Sequence, residues 1–472
     1  MGIFANPLTD LLEYEDFSRD FLKGTDPVGM TGCIDSEKVH FMSTFLGEKK
    51  VQLVVTYNEQ RAREIEEDYK LFCSQVYVIP PRDLIFFSAD LQGNAIIAER
   101  MKAFAALYQN EAKVIITTMD ALMSAAVPFE QLMSHVIKLK EGDELDLEKL
   151  KHDLTVMGYE RVGRVEEPGQ FTVHGGIADV YPLTMEVPVR IELWGDEIDT
   201  IRCFEPQSQR SMDQIECVSV FPAAEVIADD TARRRAVGMI QNELESQLAV
   251  FKKVKEPDKA KRLREETNRI LEALGEDVVL EAPDSYISYF YPRTVQLSEY
   301  FDEKNTLVFL DEPMRLKERG DGVQAEFEES MQNRLEQGFL LPGQTALLTP
   351  AKHVLAAFER GQVAALSSLD SRLADFTVVN SYAVNVQNMN TYREGFELLI
   401  KDLTHWKKEK YRIVLLCPSR TRANRIVNQL IEYDLLAYYS EDEDKKINPG
   451  EIMVTYGNLH RGFLYPMLKF AV

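Results

Sequence analysis

From about residue 20 to 130 the chain alternates short runs of β-branched and aliphatic residues with longer stretches whose apolar positions recur at helical spacing. Val51 to Thr56, Val76 to Ile79 and Val114 to Thr118 read as strands, with helices near 59–73 and 94–109. Strand, helix, strand at this spacing predicts a parallel sheet covered by helices. Between Ile79 and Asn94 only a short Pro-containing loop is expected.

From about 136 the texture changes. A helix is predicted over Asp146 to Met157, followed to about 220 by closely spaced strands with Gly and Pro punctuation, which reads as a small α+β or mostly β insert. In Val189 to Leu193 the period of two puts Val189, Ile191 and Leu193 on one face and Arg190, Glu192 and Trp194 on the other. Gly195-Asp196 then suits a two-residue type II′ turn. After 222 helices return, with basic clusters at Arg233 to Arg235 and Lys252 to Arg264, followed by a strand at Thr306 to Leu310. From 376 a new alternation begins: strand Phe376 to Val379, helix near 394–408, strand Arg412 to Cys417, helix near 420–434 and strand Ile452 to Tyr456. The expected organisation is a parallel-sheet domain in two parts, 1–135 and 222–375, split by an insert at 136–221 and followed by a second small α/β domain at 376–472.

Charge narrows the possible roles. The 472 residues carry a formal net charge of −23, a surface that repels phosphate and argues against a general nucleic-acid platform. The basic clusters are interleaved with acids such as Glu256, Asp258, Glu265 and Glu266, so they read as solvated helix faces. The aromatic run Tyr286, Tyr289, Phe290 and Tyr291 has no accompanying positive charge and reads as core packing. Five scattered cysteines without CxxC spacing indicate neither a disulfide framework nor a zinc site, and a reducing, cytoplasmic setting fits. No apolar run approaches the length of a membrane span, and the acidic N-terminal residues do not suit a signal peptide.

Residues 29–36 are Gly29-Met30-Thr31-Gly32-Cys33-Ile34-Asp35-Ser36, where a phosphate loop would open a helix. In GxxxxGK[ST] the glycines let backbone N–H groups wrap phosphates, the lysine meets the terminal phosphates and Ser or Thr holds Mg²⁺. Here Gly29 and Ser36 remain, Ile34 replaces the second glycine and Asp35 reverses the charge of the lysine. Lys38 is expected one turn deeper, pointing away from the loop. Leu307 to Pro313 is an apolar strand ending in Asp311-Glu312, the arrangement that presents a Mg²⁺-binding Asp and a water-activating Glu. With no lysine in the loop, the simpler expectation is a strand capped by two solvated acids. The histidines show no HExxH, no GxSxG or GxGxxG is present, and no catalytic residue, metal site or cofactor is predicted for this chain.

Gly169-Gln170-Phe171-Thr172-Val173-His174-Gly175-Gly176-Ile177-Ala178-Asp179-Val180-Tyr181-Pro182, followed by Pro188 to Ile198, resembles the UvrB-homology module shared by the excision-repair protein UvrB and the bacterial transcription-repair coupling factors (Mfd). Gln209-Arg210-Ser211, the degenerate phosphate loop and the short 79–94 connection, which leaves no room for UvrB's long aromatic hairpin, favour the coupling-factor family. The resemblance implies a degenerate helicase (RecA-like) domain split by the insert. It also implies that the insert binds UvrA of nucleotide excision repair through His174, Arg190 and Trp194. The family usually has Arg at the position of His174, which puts that contact in question. In the family the chain continues into an RNA-polymerase-interacting domain, two motor domains that use ATP and Mg²⁺ to translocate on double-stranded DNA, and a C-terminal regulatory domain that masks the UvrA surface. This chain is therefore expected to be a fragment. Two alternatives remain at this level: an ATP-dependent DNA repair enzyme of the UvrB type, and a generic interaction module with some other partner; for the residues themselves, the simpler reading is that Trp194 folds over the hairpin and Arg190 pairs with an acid such as Glu192 or Asp199.

Overall fold

A computed structural model describes residues 7–47, 51–82, 92–275, 283–370, 376–390, 392, 395–442 and 445–472. The first part runs α1 (Leu12–Lys23), β1 (Val28–Thr31), α2 (Asp35–Ser43), β2 (Val51–Thr56), α3 (Glu59–Tyr69), β3 (Val76–Ile79), α4 (Gln92–Tyr108) and β4 (Val114–Thr118). The predicted strands are reproduced, and Asn58 caps α3 by accepting the Arg61 N–H at 2.8 Å. The central part of the 79–94 connection, and with it the argument about a hairpin there, lies outside the described residues.

The insert contains β5 (Ile137–Lys140), α5 (Leu147–Val156, capped by Asp146), β6 (Glu160–Arg161), β7 (Gln170–His174), β8 (Ile177–Val180), β9 (Val189–Trp194), β10 (Glu197–Phe204), β11 (Ser211–Gln214) and β12 (Cys217–Val220). Its main sheet has the order β11-β10-β9-β8-β7-β6, antiparallel except for the last pair. The inward face of that sheet packs Phe171, Val173, Ala178, Val180, Val189, Ile191, Ile198 and Ile201 against Leu150 and Leu154 of α5. Gly195 has φ +67° while Asp196 stays at negative φ, so the β9–β10 turn has the left-handed residue where type II′ requires it.

The chain returns through α6 (Asp230–Val254) and α7 (Pro257–Gly275), then β13 (Thr306–Asp311), α8 (Pro313–Glu336), β14 (Val363–Ser367) and β15 (Asn380–Ala383). The first and third parts share one seven-stranded, all-parallel sheet, in the order β15-β1-β14-β13-β2-β4-β3. Both faces are covered, as an all-parallel sheet requires. Leu53, Val55, Ile115, Val308 and Leu310 enter one core, and Val54, Ile116, Leu307 and Phe309 enter the other. Tyr289, Phe290 and Tyr291 lie in the first of these cores, as expected from their lack of accompanying charge.

One expected strand is displaced. Residues 376–379 form no strand, although Phe376 is buried; the strand is Asn380–Ala383, which pairs with β1 from Val28 to Thr31. An edge strand held by backbone pairing needs little apolar side-chain content, so the apolar run marked the wrong four residues. The large sheet thus reaches Ala383, beyond the expected boundary at 375.

The last unit comprises β16 (Gln387–Asn388), α9 (Phe396–Lys408), β17 (Arg412–Cys417), α10 (Arg420–Ile431), β18 (Ala437–Tyr439), β19 (Ile452–Tyr456), β20 (Phe463–Tyr465) and β21 (Phe470–Ala471). They form a six-stranded mixed sheet in the order β16-β20-β21-β17-β19-β18. Among the described residues no helix is long and apolar enough to cross a membrane.

Gly32 follows β1 with φ +83°, and a Cβ there would lie 2.0 Å from the Val384 carbonyl oxygen. Both the backbone conformation and the contact demand glycine. Gly32→Ala is expected to destabilise the large sheet by roughly 1–3 kcal/mol, seen as a lower melting temperature; an unchanged melting curve would show that the loop relaxes without cost.

Candidate functional site

The degenerate phosphate loop is shorter than its sequence implied. Gly29 lies within β1, and only Gly32, Cys33 and Ile34 separate that strand from α2. Groups that would hold a phosphate are satisfied internally. Cys33 N–H donates to the Ser367 carbonyl at 3.2 Å, Ile34 N–H donates to Glu37 Oε2 at 3.1 Å, and Ser36 Oγ accepts the Arg461 N–H at 2.9 Å. Asp35 stands at φ +26°, and its carboxylate lies 3.5 Å from the Arg461 guanidinium.

Lys38 and the two acids correct the sequence-based expectation. Lys38 lies on the inner side of α2, and its ammonium is 2.6 Å from both Asp311 Oδ1 and Glu312 Oε1. Asp311 is not a solvated cap: it is 1% exposed and its other oxygen accepts from Thr56 Oγ1 at 2.9 Å and from Arg61 Nε at 3.3 Å. Arg61 also donates to the Asp35 carbonyl at 2.8 Å, which joins α3 to the loop. Glu312, at φ +56°, additionally accepts the Ser368 N–H at 2.9 Å. Burial opposes ionisation of Asp311, but Lys38 and Arg61 outweigh it and hold the carboxyl below its ordinary range. Burial likewise opposes the Lys38 charge, and the two acids outweigh it and raise its pKa.

This geometry has a chemical consequence. A divalent cation bound by Asp311 and Glu312 would have to displace an ammonium that already bonds to both, and to desolvate in a closed space. Among the described residues no group of three or more His, Cys, Asp or Glu is arranged to hold a metal. The sequence signal for Lys38 was present: a side chain one turn inside the N-terminal end of a nine-residue helix can face the sheet as readily as the solvent. Thr56 and Arg61 lacked a motif altogether; they reach Asp311 because β2 is the neighbour of β13.

The second site lies on the outer face of the insert. Of its three predicted residues, His174 closes β7 and Trp194 closes β9, whereas Arg190 lies near the start of β9, opposite Asp179 and Arg202. Trp194 is 83% exposed, so it does not fold back over the hairpin. His174 is exposed as well. Arg190 is half-buried and held by an acid, though by neither of the two expected. Its Nε and Nη2 bond to Asp179 at 2.8 and 2.7 Å, Nη2 also reaches Gln209 Oε1 at 3.2 Å, and the guanidinium lies over the Phe204 ring at 4.7 Å. The bond to Asp179 raises the Arg190 pKa further, so the group is cationic at every accessible pH. Asp179, Phe204 and Gln209 were missed. Asp179 was legible in principle, since the period of two in β8 places it outward between the inward Ala178 and Val180.

Residues 137–225 match the protein family described as the UvrB interaction domain. Along its length the chain is similar to the transcription-repair-coupling factor of Bacillus subtilis, at 28% identity over 473 residues that cover 99% of this chain and 40% of that protein. The transcription-repair-coupling factor of Staphylococcus epidermidis is 27% identical over 476 residues, covering 100% of this chain and 39% of the relative. The matched part is the N-terminal part of these proteins, and the chain spans about two-fifths of their length.

The buried ion cluster yields a sharp expectation. Lys38→Met leaves Asp311 and Glu312 buried with less compensation and is expected to cost about 3–5 kcal/mol. The double variant Lys38→Met/Asp311→Leu, measured by urea unfolding, should recover part of that loss. A double variant less stable than the single one would mean that Arg61 and Thr56, and not Lys38, set the stability of Asp311.

Proposed function

We propose that this chain, similar along its length to the N-terminal part of the transcription-repair coupling factors, is a recruitment module that binds UvrA through the outer face of its insert. The observation that carries this reading is Trp194, a large aromatic side chain projecting from a hairpin tip within the segment that matches the UvrB interaction domain. An exposed Trp on the same strand as a preorganised Arg has the composition of a binding hot spot: the aromatic supplies area at low entropic cost, and the guanidinium is already fixed by Asp179. His174, Arg190 and Trp194 are the proposed contacts.

In the same reading the chain binds no nucleotide and hydrolyses none. The occupied acids support this, since Lys38 lies where a Mg²⁺ ion would be needed. They count against the ATP-dependent alternative. The intact protein is proposed to be an ATP-dependent translocase on double-stranded DNA that engages stalled RNA polymerase through segments outside this chain. Its C-terminal domain would mask the insert, and its work would be cytoplasmic.

Two measurements test this. In a binding assay with UvrA, Arg190→Glu and Trp194→Ala should each weaken association by about tenfold or more, equivalent to a loss of at least ~1.4 kcal/mol. Trp194→Ala should leave the melting temperature unchanged because the side chain is solvated, and His174→Arg should strengthen binding by adding a charge-assisted donor. Undiminished binding by both weakening variants would reject the site. In a nucleotide titration of the chain, micromolar ATP affinity or any turnover would overturn the non-catalytic reading.

A further inference from the structure

Helix α2 is buried along nearly its whole length, from Ser36 to Ser43. An ordinary surface helix keeps a polar stripe in water. Lys38 faces the large sheet, whereas Ser36, Glu37 and His40 share the opposite side by helical spacing and face residues 457–465 of the last unit. The Tyr465 hydroxyl lies 2.7 Å from Glu37 Oε1 and 3.0 Å from His40 Nδ1, and the His40 ring stacks on Phe463 with centroids 5.1 Å apart. Beside them Asp68 of α3 accepts the His460 N–H at 2.6 Å through Oδ1, while its Oδ2 is buried with no hydrogen-bond partner among the described residues.

Two carboxyl groups are therefore closed into a seam between the large sheet and the last unit. Glu37 is 0% exposed, and among the described residues no Lys, Arg or His forms an ion pair with it. The neighbouring Lys38 is turned to Asp311 and Glu312; Arg461 pairs with Asp35, and His460 lies 3.5 Å from Glu64. Among the described residues, Cys33 and Tyr14 are further titratable neighbours of Glu37 and Tyr465. A carboxylate buried without a cation is costly, while the protonated acid is well accommodated. With the proton on Glu37, its O–H can donate to Tyr465 Oη, whose own O–H then donates to His40 Nδ1, and Glu37 Oε2 keeps the Ile34 N–H.

We propose that the Ser36–Glu37–His40 face of α2 and residues 457–465 form a proton-dependent clasp, closed when Glu37 carries a proton and loosened when it ionises. Burial pushes the Glu37 carboxyl up to about 7, against the hydrogen bonds from Tyr465 and Ile34 and the nearby Lys38. Burial also raises Asp68 to about 6, against the His460 N–H, Ser36 and Arg61. A carboxyl whose pKa is raised in the closed state favours closure most below its ordinary value near 4.5. That contribution is lost as pH rises to about 7, and levels off above it. The clasp is independent of the UvrA reading, because it involves no residue of the insert.

Hydrogen exchange of the intact chain at pH 5.5, 6.5, 7.5 and 8.5, corrected for intrinsic rates, tests it. Opening of segments 35–43 and 457–465 should increase on the order of tenfold between pH 5.5 and 7.5 and then flatten, while segment 170–204 shows no such trend. Glu37→Gln, which keeps an acceptor and a donor without the charge, should hold both segments closed at high pH. Tyr465→Phe should open them throughout. A flat wild-type profile, or the same pH slope in Glu37→Gln, overturns the proposal; the wild-type profile decides even if a variant does not fold.

Discussion

A buried ion cluster ties helix α2 to the large sheet. Lys38 reaches from α2 to the end of β13, and its ammonium satisfies Asp311 and Glu312 together. Arg61 and Thr56 complete the shell around Asp311 from α3 and β2. Three consecutive elements, α2, β2 and α3, thus converge on a carboxylate of β13, which is distant in sequence, in a sheet that the insert interrupts. Such a cluster stabilises little over an apolar replacement of the same shape, yet it tolerates loss of a single partner badly. Its role is specificity of arrangement: α2 is held at a fixed height over the sheet, and through α2 so is everything that packs on its outer side.

Fixing α2 from within frees its other side for a different use. A working phosphate loop leaves that region open to solvent, with N–H groups directed at a ligand. Here Cys33, Ile34 and Ser36 bond to neighbouring protein atoms, and the last unit lies over the helix. Internal charge and domain contact replace, group by group, the ligands that the sequence pattern alone would have suggested. The insert is built on a contrasting principle. Its inner face is an ordinary apolar core, and its outer face keeps Trp194 and His174 in water and carries a guanidinium locked by Asp179.

The elements that sequence reasoning recovered were those with strong local signals. The strands of the large sheet carry unbroken β-branched runs, α5 begins at a capping Asp146, and Val189 to Trp194 alternates cleanly before a Gly-Asp turn. What escaped it was decided by neighbours distant along the chain. Asn380–Ala383 is a strand because β1 lends it hydrogen bonds, not because of its own side chains. The surroundings of Asp311 followed from strand order, which no local pattern encodes, and the direction of Lys38 followed from what covers the other side of its helix. Arg190 and Trp194 were placed correctly on one face, but the acid that holds Arg190 depended on the β8–β9 register.

The insert leaves and rejoins its host through β5 and β12, which pair antiparallel with Ile137 opposite Val220. The two ends of an 80-residue-scale module are thereby held about 5 Å apart, the spacing of adjacent residues on neighbouring strands. To the host sheet the whole module is topologically equivalent to a tight loop. Exchange for another module with the same neck would leave the order of the seven parallel strands unaltered. A recognition surface mounted this way can diversify on a different schedule from the core that carries it.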